Sequence, residues 1–336
     1  MKILLIGGGS GGHITPLLAV AHELRVLQPD IELIGVCEKN ANFVHLYEED
    51  SSIDKVIQIS AGKYRRYSGI SITERLSDVK TPLLNIRDAG RTIKGYREAL
   101  RALKQLKPDA MLIKGGFVGV PMGLAASKLG VPYLTHDSDS VPGLANKLVA
   151  RWASLHATGM PIELYDYPKS KSVFTGIPVS THYKRVSSQD RRQFREDLNI
   201  GNLNPVIMIT GGSQGGAQLN LDVVKVTAKL IEQFPNLGVL HIAGSAKEEQ
   251  VRSAYARHLS VENLPNIVVK GFVNNLHSFS GAADIVISRA SATAIAEFSL
   301  QGLPIILVPG RLSGGHQDKN AAYFAGKQAA LVAEYG

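Results

Sequence analysis

Twice in this chain a short apolar run meets a cluster of glycines and then a helical pattern: KILLIGGGSGGH at residues 2–13 and VIMITGGSQGGA at residues 206–217. The apolar runs are too short for helices, and glycine allows the positive φ and close backbone approach that other residues resist. Each segment therefore predicts a strand, a tight turn and a helix, with successive amide N–H groups and the positive helix end turned toward an anion. Two such phosphate cradles in separate halves predict two phosphorylated ligands meeting in a cleft. The 336 residues suffice for two α/β domains that each bury a core of their own.

Strand-like runs alternate with helical patterns throughout, at residues 3–6, 31–36, 56–59, 110–113, 131–135 and 155–158, then at 206–210, 239–243, 267–269, 285–288 and 305–308. Two blocks of βαβ alternation predict an α/β protein of two Rossmann-like domains, each a parallel sheet with helices on both faces. The change-over falls near FTGIPVS, residues 174–180, where Gly176 and Pro178 interrupt the pattern. Domains at residues 1–178 and 179–336 follow.

Charge is unevenly spread. Residues 63–107 hold twelve Lys or Arg against four Asp or Glu, an excess equal to the +8 of the whole chain. No RNP-like aromatic signature, zinc-finger spacing or basic zipper accompanies it, so nucleic acid is not expected. An anionic membrane surface fits better. Across residues 83–106, Ile86, Ala89, Ile93, Tyr96, Leu100 and Leu103 follow helical spacing, while Arg87, Arg91, Lys94 and Arg101 gather on another face. A solvated basic face on an ordinary packed helix is the competing reading. The lone Cys37 points to a reducing compartment, and the apolar run at 3–6 stops short of a secretory signal. The apolar stretch 290–310, broken by Gly302, Pro304 and Pro309, divides into a helix and a strand and does not predict a membrane span.

Gly7, Gly9 and Gly12 satisfy the dinucleotide fingerprint, and Glu38 lies where that motif's ribose-binding acid would sit. A nicotinamide-dependent oxidoreductase would, however, leave the second turn unexplained. His13 precedes Thr15, a plausible N-cap, and Pro16, a plausible first helical residue. A histidine in that positive field stays neutral, which suits a general base beside an anion site; satisfying local backbone groups is the alternative. KGGFVGVP (114–121) and HDSDSVPGLANK (136–147) follow later strands of the same half and should border the same crevice. Asp137 and Asp139 could bind a divalent ion with a diphosphate, or cap the helix entered after Pro142. No Cys/His cluster implies a metal, and no G-x-S-x-G marks a serine hydrolase.

In the second half Glu297 is the only charged residue between Arg289 and Arg311. A carboxylate among small and apolar neighbours needs a partner, either the paired hydroxyls of a ribose or an ion pair with Arg289. His316, Gln317 and Asn320 add hydrogen-bonding groups suited to a sugar.

Taken together, GGGSGGHITP, KGGFVGVP, HDSDSVPGLANK, FTGIPVS, TGGSQGGA, RASATAIAE and HQDKNA occur in the order and spacing of the MurG-type transferases, and the resemblance runs from about residue 3 to residue 333. Those enzymes move N-acetylglucosamine from UDP-N-acetylglucosamine to the C4 hydroxyl of undecaprenyl-diphosphate-linked muramyl peptide, turning lipid I into lipid II for peptidoglycan. The resemblance implies a GT-B fold, an inverting reaction needing no cofactor or bound metal, and a peripheral place on the cytoplasmic face of the plasma membrane. Other cell-wall or division proteins are further possible partners. It implies His13 as the base, with Gly9, Gly115, Gly116 and His136 on acceptor-side loops, and Arg87, Arg91 and Lys94 at the membrane. Donor contacts are implied for Ser10, Gly11, Gly12, Asp139, Ser180, Ser213, Gln214, Val273, Ala292, Thr293, Glu297, Gln317 and Asn320, with Glu297 on the ribose.

Three departures stand out. Asp139 replaces the family's usual Asn in HEQN, and Ser180 replaces the usual Arg in GNPVR. The sequence stops at Gly336, before the final helices that in the family cross back onto the first domain, so weaker interdomain support is expected. Alternatives are a related GT-B enzyme with another lipid acceptor, a UDP-sugar epimerase, or a non-enzymatic membrane adaptor, which would explain neither turn.

Overall fold

The computed structural model describes residues 1–65, 78, 80–212, 215–310 and 315–334. The chain divides into two compact units, one comprising Met1–Ser180 and Leu312–His316, the other Thr181–Arg311 and Gln317–Gly336.

The first unit is built on a parallel sheet of β1 (Lys2–Gly7), β2 (Glu32–Glu38), β3 (Lys55–Ile59), β4 (Ala110–Gly115), β5 (Tyr133–Asp137), β6 (Leu155–Thr158) and β7 (Ser172–Phe174). Its spatial order is β3-β2-β1-β4-β5-β6-β7. The helices are α1 (Gly11–Leu27), α2 (His45–Glu48), α3 (Lys80–Leu106), α4 (Gly119–Leu129) and α5 (Leu144–Val149). β1 is apolar on both faces because helices cover both: Leu4 and Ile6 enter a core with Ala99, Leu103 and Met122, whereas Leu5 enters one with Ile14, Leu17 and Tyr47. In register, Leu4 lies opposite Ile34 of β2 and Met111 of β4.

The second unit repeats the plan with β8 (Val206–Thr210), β9 (Gly238–Ile242), β10 (Ile267–Lys270), β11 (Ile285–Ser288), β12 (Ile305–Leu307) and β13 (Leu331–Val332), ordered β10-β9-β8-β11-β12-β13 and parallel. Its helices are α6 (Ser188–Asp197), α7 (Ala217–Gln233), α8 (Glu248–His258), α9 (Leu276–Ala282), α10 (Ala292–Leu300) and α11 (His316–Gly326). Met208 of β8 faces Leu240, Ile295 and Phe298, while Ile207 and Ile209 face Leu219, Val224 and Tyr255. A reciprocal capping box between Ser187 and Asp190 starts α6. In each sheet the strand order reverses beside the strand that carries the glycine turn, at β1/β4 and at β8/β11, where ligands of doubly wound sheets bind.

Three local expectations are corrected. β7 and β13, edge strands of three and two residues with mostly exposed side chains, are not among the strands the sequence predicted. Helix α1 begins at Gly11 with Ser10 as N-cap, not at Thr15–Pro16. Pro16 therefore lies inside the helix, where its ring nitrogen gives no hydrogen to the Gly12 carbonyl. On α3, Tyr96, Leu100 and Leu103 pack on the core as expected, but Ile86 and Ile93 do not: they are 71% and 57% exposed. The first half of this helix instead buries Asp88, which binds Arg65, Arg87 and Arg91 at 2.7, 3.1 and 3.3 Å.

Candidate active site

In the first unit the loop after β1 is held by contacts that only glycine permits. Gly9 has φ +82°. A Cβ at Gly8 would overlap the Glu38 carboxylate, and one at Gly116 would overlap the Gly8 carbonyl. The Gly9 N–H donates to Glu38 Oε1 at 2.9 Å. Glu38 thus grips the loop backbone rather than standing open for a ribose, which removes the basis of the dinucleotide reading.

His13 occupies the first turn of α1, three residues after the N-cap. Its Nδ1–H donates to the Gly8 carbonyl at 2.6 Å, with Ser10 Oγ a longer 3.4 Å away. A carbonyl oxygen only accepts, so Nδ1 carries the hydrogen and Nε2 the lone pair. Nε2 lies beside Gly115, where a Cβ would come within 3.2 Å of it. Burial, then the Lys114 ammonium, hold the imidazole below its ordinary pKa, partly opposed by Gly8 and Asp139. The neutrality expected from the helix end thus has burial as its largest cause.

Lys114, which sequence reasoning passed over, is buried at the end of β4 and donates to Ser138 Oγ at 2.8 Å. Burial brings its pKa down to about 8, against the pull of Asp137 and Asp139. Asp137 accepts from the Gly143 N–H at 2.8 Å, Asn146 at 3.0 Å and the Tyr167 hydroxyl at 2.8 Å. Gly143 is the N-cap of α5, so this carboxylate serves the capping reading. Asp139 follows it, and the Asp139 carbonyl accepts from the Tyr165 hydroxyl at 2.7 Å. Among the described residues no group of three or more His, Cys, Asp or Glu could hold a metal ion. His136 donates from Nε2 to the Gly176 carbonyl at 2.9 Å, and burial, then Lys114, bring its pKa to about 3. It therefore ties β5 to the segment leading to Ser180 and stays neutral.

In the second unit Ser213 and Gln214 lie outside the described residues. Around them, Gly212 and Gly215 have φ +77° and +66°, and the Gly215 N–H donates to the Gly212 carbonyl at 2.8 Å. A Cβ at Gly215 would overlap the Ala243 carbonyl at the end of β9. Helix α7 starts at N-cap Gly216, with no side-chain cap from that residue and no acid in its first turn, so nothing in that turn opposes an anion at the helix end. Behind them is a buried network: Asn220 donates to the Ala243 carbonyl at 2.9 Å and accepts from His241 Nε2 at 3.1 Å, while His241 Nδ1 accepts from the Tyr255 hydroxyl at 3.0 Å. Burial takes His241 down to about 4, which keeps this network uncharged.

Arg289, just after β11, lies against this turn, its Cδ 3.2 Å from where a Gly216 Cβ would be. Its Nε donates to Gln317 Oε1 at 3.3 Å, and the Gly310 N–H donates to the same oxygen at 2.7 Å. Asn320 donates to the Ala290 carbonyl at 3.0 Å. Gln317 and Asn320 thus brace the turn from Arg289 to Ala292 and Thr293, both buried at the start of α10. Val273 packs half-buried in the loop after β10. Glu297 is not ion-paired with Arg289 among the described residues; it accepts a hydrogen bond from the Tyr183 hydroxyl. Desolvation pushes the Glu297 carboxyl up to about 8, against the hydrogen bond from Tyr183. Neither Tyr183 nor the position of Arg289 left a sequence signal, because both contacts join segments far apart in the chain.

Two doubly wound parallel sheets, each with a glycine turn opening a helix at its switch point, define a GT-B-type glycosyltransferase. The glycosyltransferase family 28 N-terminal domain matches residues 3–158 and the family's C-terminal domain matches residues 206–336. The chain belongs to that family. A Bacillus pumilus protein named UDP-N-acetylglucosamine--N-acetylmuramyl-(pentapeptide) pyrophosphoryl-undecaprenol N-acetylglucosamine transferase is 31% identical over 99% of this chain and 85% of its own length. The relative of the same name from Bacillus cytotoxicus is 32% identical with the same coverage. Among solved structures, Acinetobacter baumannii MurG is 25% identical with a TM-score of 0.64 over 99% of this chain and 85% of that one. A putative UDP-N-acetylglucosamine 2-epimerase from Listeria monocytogenes has a TM-score of 0.67 at 12% identity, over 100% of this chain and 84% of that one, a likeness of fold.

Proposed function

We infer that this protein transfers N-acetylglucosamine from UDP-N-acetylglucosamine to the C4 hydroxyl of undecaprenyl-diphosphate-linked muramyl peptide. The observation that carries this reading is the match to transferases of that name over 99% of the chain, across both units. The site geometry supplies the chemistry. His13 Nε2 takes the proton of the C4 hydroxyl as that oxygen bonds to the anomeric carbon from the face opposite the diphosphate. The bond from that carbon to the phosphate oxygen breaks, and UDP leaves with the electron pair. The configuration is inverted.

Negative charge grows on the leaving diphosphate, and the positive N-terminal end of α7 with the Arg289 guanidinium opposes it where it develops. Glu297 and Tyr183 receive the ribose, Val273 the uracil, and Gln317 and Asn320 hold the sugar-binding turn. Ser10, Gly11 and Gly12 offer the N-terminal end of α1 to phosphate, and Asp139 and Ser180 are further donor contacts. With this much fixed positive charge, no divalent metal is needed for the chemistry.

No helix among the described residues is long and apolar enough to cross a membrane. The exposed Leu83, Ile86 and Ile93 of α3, interleaved with Arg87, Arg91 and Lys94, support docking of the first unit on the anionic cytoplasmic face of the bilayer. Incubation with UDP-N-acetylglucosamine and a short-chain lipid I analogue should yield the disaccharide product and UDP. Epimerised sugar formed from the donor alone, with no disaccharide, would assign the protein to the epimerases instead.

A further inference from the structure

Two polar contacts of the first unit meet on one peptide group. The Gly9 N–H, held by Glu38 Oε1 at 2.9 Å, and the Gly8 carbonyl, which accepts from His13 Nδ1 at 2.6 Å, are the two ends of the same planar amide. The chain of contacts is carboxylate, peptide, imidazole. We propose that Glu38 is the positioning residue of the active site, acting through the Gly8–Gly9 peptide to fix the orientation and tautomer of His13.

Hydrogen bonds in a chain polarise one another. A carboxylate on the N–H side draws positive charge toward itself and leaves the carbonyl oxygen more negative. That oxygen then binds Nδ1–H more strongly, which holds the lone pair on Nε2 and stabilises the imidazolium once Nε2 has taken a proton. The carboxylate's other oxygen, Oε2, is buried with no hydrogen-bond partner among the described residues, which leaves the Gly9 N–H as the hydrogen-bond donor the carboxylate engages there.

The surroundings fit this use of the charge. Lys39, the next residue, gives its ammonium to Glu98 at 2.7 Å. Cys37 beside Glu38 is pushed up to about 12 by burial, then by Glu38 and Glu48, and the Tyr47 hydroxyl is also raised, so both neighbours remain neutral. His13 itself faces Lys114 and His316, which disfavour its protonated form, and Asp139, which favours it. The clamp also accounts for Gly8: any side chain there would displace the Glu38 carboxylate.

The proposal rests on His13 as the base, and the test separates the two. Glu38→Gln keeps an acceptor for the Gly9 N–H but removes the charge. In protein labelled with ¹⁵N-histidine, with His13 assigned through its loss in His13→Asn, the variant should shift the neutral ring toward the Nε2–H tautomer. The ring should also titrate at lower pH than in the wild type. Turnover should fall on the order of tenfold, a part of what base catalysis supplies. The donor KM should not change, and the acid limb of kcat/KM should move down in pH. Glu38→Asp, charged but shorter, should recover part of both signals. A His13 tautomer and titration identical in wild type and Glu38→Gln would overturn the clamp. So would a turnover loss that Glu38→Asp shares in full, with matching loss of melting temperature. A shifted His13 titration together with wild-type kcat in His13→Ala would uphold the clamp and reject His13 as the base.

Discussion

Burial is put to opposite uses at two residues, His13 and Glu297. It lowers the His13 pKa and keeps a base unprotonated, whereas it raises the Glu297 pKa to about 8 and keeps an acid protonated until something replaces water. His13→Ala should lower kcat by about 10²–10⁴-fold while UDP affinity, measured by calorimetry, stays near wild type. Because its folded pKa lies below the ordinary value of about 6.5, the fall of wild-type kcat/KM on acidification should begin on the acid side of that value. For Glu297 the sign runs the other way. The unfolded carboxyl ionises near pH 4.3 and the folded one only near 8, so ionisation favours the unfolded chain as pH rises between these values. Glu297→Gln should flatten the decline of melting temperature across that window. It should also weaken UDP binding by about 1–3 kcal/mol if ribose hydroxyls bind the carboxylate. Unchanged calorimetric affinity would make the residue purely structural.

Helix α3 shows what periodicity in a single element leaves open. Its spacing separates a basic face from an apolar one, but the apolar positions divide again: Tyr96, Leu100 and Leu103 reach the core, and Ile86 and Ile93 reach solvent. Each basic residue near an anionic leaflet contributes about 1 kcal/mol, screened by salt, and the exposed isoleucines add apolar burial. Arg87 and Arg91 have a second duty, neutralising buried Asp88 with Arg65, so reversing their charge would also strain the fold. Ile86→Ser, Ile93→Ser and Lys94→Gln together are the cleaner probe. Stability should change within about 0.5 kcal/mol per site. Vesicle flotation should show weakened binding to anionic vesicles, and turnover of a long-chain acceptor should fall while a water-soluble analogue is still processed. Equal loss with both acceptors would indicate damaged folding.

Each unit carries its own glycine turn and its own cores, so ligand effects can be read unit by unit. UDP at a hundred times its Kd stabilises what it binds by about 2.7 kcal/mol. Amide hydrogen exchange should therefore slow at residues 215–220 and 289–297, around the α7 terminus and the Arg289 turn. The same protection is expected in EDTA, as is undiminished turnover. Protection that vanishes on chelation and returns with Mn²⁺ would require a metal-bound diphosphate.

The sequence by itself determined the repeated strand–turn–helix units, the parallel sheets and the place of both glycine turns, because these follow from local apolar runs and from conformations only glycine adopts. His13, Glu297 and the basic helix were legible for the same reason: their chemistry is conspicuous against close neighbours in the chain. Only the tertiary structure decided which partner each polar group takes. Glu38 holds Gly9, Tyr183 holds Glu297, Arg289 rests on Gln317, and Lys114 faces His13. The short edge strands β7 and β13 belong with these, since segments of two or three residues become strands only by pairing with a neighbouring strand. These contacts join segments distant in sequence, and desolvation, which sets the site's proton affinities, exists only once those segments have packed together.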